Sequence, residues 1–485
     1  PAQAQEGGPG IDTAYAASRQ RSTVASVDSI FAAYDRSDAP GCAVGVVVDG
    51  KLAYAKGYGM ADLAHGLAIT PASVFRTGSV SKQFTAAVIV LLAQDGVLSL
   101  DDRVQKWIPE LPDYGPRFTV RRLLHHTSGV RDYLVLMDLA GKRQDDYYTD
   151  ADVVAMLARQ PTTNFEPGAE FLYSNSGYFL LSQIVKRATG RSMIDVAQEK
   201  MFGPLGMTHT QFYADHTRIV PNRAMGYAPA ATEEETAEAS NPREPTSIVD
   251  RRSSIPWRIS MTTLPMIGDG GIFTTVEDLA KWNHNFDDPV VGGPSFVQTM
   301  LERGVLNDGD TIPYALGLGH GTQRGLRTVG HGGAFVGFRA ATLRYPDQHT
   351  AVYTLCNRAD ANPVALSGEV GAALLADVMS PPAPERERAA RPREQVDTLA
   401  LPAAKLRQYV GDYHSDVLDA TYRIRLHGDT LMLQVGNDLD GPLAAVGADT
   451  FRRGPLRMHF LRKDGFGFEV DAGRVRGIWF HRQGP

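Results

Sequence analysis

Apolar residues first recur at helical spacing at Val24, Val27, Ile30, Phe31 and Tyr34, after a polar, Gly/Ala-rich arm over residues 1–23. The period then shortens. Residues 42–48 and 52–58 are β-rich runs separated by Asp49-Gly50, the dipeptide that best accepts the positive φ of a two-residue hairpin turn. From Ser79 to Gln94 the chain is apolar on nearly every side and stops just before Gly96, which predicts a buried helix. Further helices are expected behind a cap at Asp101 or Asp102, over 119–126, and over 178–189 up to Gly190. Thr275, three positions before Asp278, fits the cap of a helix running through Phe286. Strands are expected over 314–320, 338–345 and 350–356, with a closing helix over 365–378. Residues 230–255 lack periodicity and read as an exposed loop or insertion.

A hairpin first, helices in the middle, and strands with a helix last give an α+β class in which the two ends share one antiparallel sheet. Residues 379–398 are Pro-rich and charged without an apolar face, a linker. After a short helix around 403–409, alternating runs at 422–426, 430–435, 458–461, 466–470 and 475–480 predict a small antiparallel barrel or sandwich. The expected organisation is an arm (1–23), a main domain (24–378), a linker (379–398) and a β-domain (399–485).

Composition adds exclusions. A chain of 485 residues with 43% hydrophobic and 21% charged residues builds a globular core. Net charge of -6 supplies no basic footprint for nucleic acid or anionic lipid, and the longest apolar run, 86–93, is far too short to span a membrane. The start, Pro1-Ala2-Gln3-Ala4-Gln5, reads as the remnant of a signal-peptidase site, with an arbitrary chain start as the other reading; the expected location is secreted or periplasmic. Cys42 and Cys356 cannot form a disulfide framework by themselves and are expected to act as small buried hydrophobes.

Ser79-Val80-Ser81-Lys82 sets a hydroxyl and an amine at i and i+3, neighbours on one helical face. A serine hydroxyl is a poor nucleophile until its proton is removed, and only a neutral lysine can remove it; an apolar helix favours that neutral form. Ser79 also follows Gly78 at a helix start, where unpaired N–H groups stabilise developing negative charge. The pair alone is weak. Its weight comes from Tyr173-Ser174-Asn175 and His331-Gly332-Gly333, which follow in that order.

Together with their flanks over residues 25–378, these motifs resemble the serine penicillin-recognising superfamily. The similarity is to its class C beta-lactamase, D-aminopeptidase and carboxypeptidase branch, marked by Ser-x-x-Lys, Tyr-x-Asn and a Lys/His-x-Gly strand. The resemblance implies that Ser79 forms an acyl-enzyme and that Lys82 and Tyr173 handle protons, with the choice of base between them open. It further implies that Asn175 donates to the substrate carbonyl and that the N–H groups of Ser79 and Ala334 form an oxyanion hole. Gly332 and Gly333 would let the substrate approach the strand edge. No cofactor or metal is implied, and the terminal domain resembles the lipocalin-like barrels that follow some D-aminopeptidase and esterase relatives; covering the cleft or mediating homo-oligomers is one role open to it, and a solvated stability module is the other.

His331 departs from the lysine of the third motif. A histidine with an ordinary pKa near 6.5 is largely neutral at pH 7 and holds a substrate carboxylate poorly. The expected substrates are small esters, amides or short D-amino-acid peptides, in preference to beta-lactams and C-terminal D-Ala-D-Ala. His125-His126 lack metal-ligand partners at suitable spacing and read as packing residues, as do Tyr58, Trp107 and Trp282. No G-x-S-x-G and no Gly-rich phosphate loop occur. A binding protein that kept the fold but lost turnover is the rival reading; the complete set of Ser79, Lys82, Tyr173 and Asn175 favours an enzyme.

Overall fold

The computed structural model describes residues 24–143, 146–230, 256–382, 398–436, 438–462 and 465–484. The arm, most of the 230–255 insertion and most of the linker lie outside them. A helix over 24–31 leads into strands Cys42–Val48 and Lys51–Tyr58, joined through Asp49 and Gly50, both at positive φ. These strands complete a six-stranded antiparallel sheet whose other members, from the far edge inward, are Gly319–Gln323, Leu326–Phe335, Phe338–Tyr345 and Thr350–Cys356. The two ends of the main domain thus share a sheet, with Cys42 opposite Cys356 and Val48 opposite Thr350.

The period of two assigns the faces. Cys42, Val44 and Val46 pack with Val27, Phe31, Leu366 and Val370 of the helices over 24–31 and Pro363–Leu374, while Ala43 and Val47 join the larger core on the other side. There the helix Val276–Asp287 crosses the sheet, Val276 lying against Gly45. Its Thr275 cap accepts from the Asp278 N–H as expected.

Some expectations need correction. Cys42 and Cys356 are buried but joined as a disulfide: the first and last strands of the sheet are neighbours, and 314 residues of sequence hide that adjacency. Asp102 does not cap a helix; its carboxylate takes the Ser99 N–H and Lys106, and Val104–Trp107 starts after Arg103 without a side-chain cap. The strand expected over 314–320 is Gly319–Gln323, because Gly317 adopts positive φ where its backbone crosses Gln83. Leu326–Phe335 escaped the periodicity because Gly330, Gly332 and Gly333 interrupt the apolar pattern.

The terminal β-domain is a closed eight-stranded barrel, not a sandwich, running from Gly411–Ser415 to Val475–Arg482. Its interior is filled by Tyr413, Tyr422, Phe451, Phe460, Phe468 and Phe480, all buried. The barrel docks on the helical part: Tyr422 Oη donates to the Leu139 carbonyl at 2.9 Å, and Asn164 exchanges hydrogen bonds with the Arg474 carbonyl and the Arg476 N–H, both at 2.9 Å.

Candidate active site

Ser79 does not lie in the α-helix itself. Gly78–Ser81 form a 3₁₀ turn that feeds the α-helix Lys82–Gln94, and in a three-residue turn the side chains at i and i+3 eclipse. Lys82 Nζ therefore sits 3.2 Å from Ser79 Oγ. The lysine is fully buried, and its other two neighbours are obligate acceptors, Asn175 Oδ1 at 2.9 Å and the Asp269 carbonyl at 2.7 Å. A neutral amine has two N–H bonds and one lone pair. In a neutral lysine both hydrogens go to those oxygens and the lone pair faces the Ser79 hydroxyl, whereas the charged form donates to all three.

Asn175 opens the helix Asn175–Thr189, three residues earlier than the sequence pattern predicts. Its amide orientation is dictated by Asp132, a fully buried carboxylate that accepts from Asn175 N at 2.8 Å and Asn175 Nδ2 at 3.0 Å. Because a carboxylate only accepts, Nδ2 faces Asp132 and Oδ1 is turned to Lys82, leaving one amide hydrogen uncommitted. Asp132 also caps Tyr133–Leu139 by accepting from Leu134 N and Val135 N. The sequence reading missed it; the Asp-Tyr-Leu run is an ordinary cap signal, and its second task shows only once residues 132 and 175 meet.

Tyr173 stands just before that helix. Its ring lies 4.2 Å from the His126 ring and 4.8 Å from Lys82 Nζ between centres, and its buried hydroxyl has no hydrogen-bond partner among the described residues. The third motif occupies Leu326–Phe335. Gly319–Gln323 pairs with Leu326–Gly330, so one edge of His331–Phe335 has no strand partner among the described residues and lines the cleft. The Gly333 requirement is internal: a Cβ there would fall 1.9 Å from the Thr77 carbonyl, and one at Gly78 would fall 2.8 Å from Ala334 N. The strand therefore rides directly on the Ser79 turn.

His331 Nε2 lies 3.0 Å from Tyr314 Oη and Nδ1 lies 2.5 Å from the Gly332 carbonyl. Burial, aided by the nearby Lys82 charge, pushes its pKa down to about 4. His126, read from the sequence as a packing residue, is indeed buried but contacts this group, its Nε2 3.2 Å from Tyr314 Oη. His125 turns away and bonds the Arg121 and Glu302 carbonyls.

The cleft encloses about 840 Å³ and is lined by Ser79, Tyr173, Asn175, Asp269, the 331–336 edge and Arg474. Arg474 comes from the barrel, in the turn between Gly467–Ala472 and Val475–Arg482, and its Nε lies 3.3 Å from Asp132 Oδ2. No sequence signal pointed to it.

The Beta-lactamase family profile matches residues 27–377, which hold all three motifs. The chain is 28% identical over 453 residues to a D-aminopeptidase of Cereibacter sphaeroides, covering 92% of this chain and 80% of that protein. It is 28% identical over 339 residues to a D-aminopeptidase of Gluconobacter oxydans, covering 70% of this chain and 60% of that one. Among solved structures, the octameric penicillin-binding protein homologue from Pyrococcus abyssi superposes with a TM-score of 0.59 at 22% identity, over 96% of this chain and 99% of that one, barrel included. This chain belongs to the Beta-lactamase family and is a serine hydrolase.

Proposed function

We propose that the protein hydrolyses amide or ester bonds of small substrates, D-amino-acid amides and short D-peptides foremost, through an acyl-enzyme on Ser79. The observation that carries this reading is the placement of Lys82, whose Nζ has two fixed acceptors, Asn175 Oδ1 and the Asp269 carbonyl, and Ser79 Oγ as its third neighbour. Lys82 takes the hydroxyl proton as Ser79 attacks the substrate carbonyl, and the N–H groups of Ser79 and Ala334 receive the oxyanion. Tyr173, with its unpartnered hydroxyl, passes a proton to the leaving group and later orients the water that releases the acyl group. Asn175 offers its remaining amide hydrogen to the substrate. Gly332, beside His331, forms the cleft wall.

The D-aminopeptidase relatives support the substrate class. The neutral His331 supports substrates that do not depend on a cation at the third motif. Residues 24–378 carry the chemistry and 399–485 form the lipocalin-like barrel. Export to the periplasm or beyond fits the buried Cys42–Cys356 disulfide, a bond that persists in oxidising compartments. A homo-oligomer is the proposed assembly, by likeness to the octameric homologue.

Two measurements test this. A fluorophosphonate probe should label the wild type and leave Ser79→Ala unlabelled. A panel of p-nitrophenyl esters, D- and L-aminoacyl anilides and a chromogenic cephalosporin should show turnover of D-aminoacyl anilides above the L-forms, with the cephalosporin poorest. Cephalosporin turnover matching the best ester would refute the substrate class; a folded wild type that takes no label would refute the mechanism.

A further inference from the structure

One chain of hydrogen bonds joins the second motif to the third, and its direction is fixed from its two ends. The Ser174 N–H can only donate, and it points at His126 Nδ1 at 3.1 Å. His126 therefore holds its lone pair on Nδ1 and, when neutral, its proton on Nε2, which lies 3.2 Å from Tyr314 Oη. Tyr314 Oη accepts there, and its own proton has two candidate acceptors, the Tyr178 hydroxyl and His331 Nε2 at 3.0 Å. The Gly332 carbonyl decides between them: it only accepts and lies 2.5 Å from His331 Nδ1, so Nδ1 carries the His331 proton and Nε2 takes the proton of Tyr314. Every ring nitrogen in the chain has one assigned task. Burial disfavours the charged form of both imidazoles and the phenolate of Tyr314, so the neutral arrangement is the stable one. The groups facing it are Lys82, Tyr173 and Tyr178, with Arg474 further out.

We propose that Tyr314 and His126 are positioning residues of the reaction: with the Ser174 N–H they lock His331 as its Nδ1–H tautomer and hold the Tyr173–Asn175 segment in register with the His331–Ala334 edge. His331 then has no free ring nitrogen for a substrate. Its task is to keep the Gly332 peptide, and with it the Ala334 N–H, in place against the Ser79 turn. Tyr314 lies outside the named strands, tied to Gly319 by a single antiparallel bridge, and His126 sits at a positive φ just after the helix Val120–Leu124.

The kinetic part of this proposal rests on the Ser79 acyl-enzyme reading; the tautomers do not. The test uses the full chain with ring-¹⁵N histidine, whose two-bond ¹H–¹⁵N correlations distinguish Nδ1–H from Nε2–H, assigned through His331→Gln and His126→Gln. In the wild type at pH 7, His331 is expected as Nδ1–H and His126 as Nε2–H. Finding His331 as Nε2–H or as imidazolium overturns the proposal whether or not any variant folds. In Tyr314→Phe, His331 is expected to lose its Nδ1–H preference. The fluorophosphonate labelling rate of Ser79 should fall about tenfold, and kcat on a D-aminoacyl anilide should fall similarly with KM within about twofold. A folded Tyr314→Phe that keeps the His331 tautomer and the labelling rate also overturns it. Failure of the wild type to label would remove the Ser79 reading and leave the tautomer result standing.

Discussion

Replacing Asp132 by alanine removes the carboxylate that accepts Asn175 N, Asn175 Nδ2, Leu134 N and Val135 N and that pairs with Arg474. Leu134 and Val135 lie at a helix start, where losing a side-chain cap costs about 1 kcal/mol. The two Asn175 donors are buried, and each unsatisfied buried donor costs about 1–3 kcal/mol. Removing a buried charge returns part of its desolvation cost, and the Arg474 pair, one-third exposed on the arginine side, adds little. The net expectation is a loss of about 3 kcal/mol, read as a lowered urea midpoint at unchanged slope. Activity should fall further than folding does, because Asn175 Oδ1 is no longer turned to Lys82. Losing one hydrogen bond to a charged or proton-accepting amine, about 1.5–3 kcal/mol, corresponds to about 10- to 150-fold in kcat/KM. A folded Asp132→Ala within about 1 kcal/mol of wild type and within threefold in kcat/KM would refute the reasoning.

Lys82→Met should fold, since the site is apolar around the stem, yet lose Ser79 labelling by at least about a thousandfold; retained labelling would move the base to Tyr173. Arg474→Gln should alter kcat/KM for substrates with bulky leaving groups more than for p-nitrophenyl acetate, because Arg474 is the barrel's contribution to the cleft wall; a uniform effect would count against that placement. His331 titrates near 4 in the fold and near 6.5 unfolded, so its contribution is complete above pH 6.5 and lost as pH falls toward 4. This amounts to about 2 kcal/mol after discounting for the partly exposed residue, and it should vanish from the pH dependence of unfolding in His331→Gln. Replacing Cys42 and Cys356 together by alanine should lower stability by about 2–4 kcal/mol without changing Ser79 labelling, because the bond closes the chain on itself within the core and neither cysteine lines the cleft.

Local chemistry made much of this protein readable from the chain alone. The Asp49-Gly50 turn, the Thr275 cap, the buried helix through Gln94 and the spacing of Ser79 and Lys82 depend on neighbours within a few residues, whose sterics and hydrogen bonds travel with the sequence. The motif order carried the family for the same reason. What the sequence left open involves partners hundreds of residues apart. Cys42 meets Cys356 because the sheet places first and last strands side by side. Asp132 fixes the Asn175 amide, and Arg474 reaches the cleft from a second domain, through contacts that no local pattern encodes. His331 was legible as a residue, but its protonation was not. A histidine's state is decided by burial and by which donors and acceptors face its two nitrogens, and only the packed fold brings Tyr314 and His126 to it.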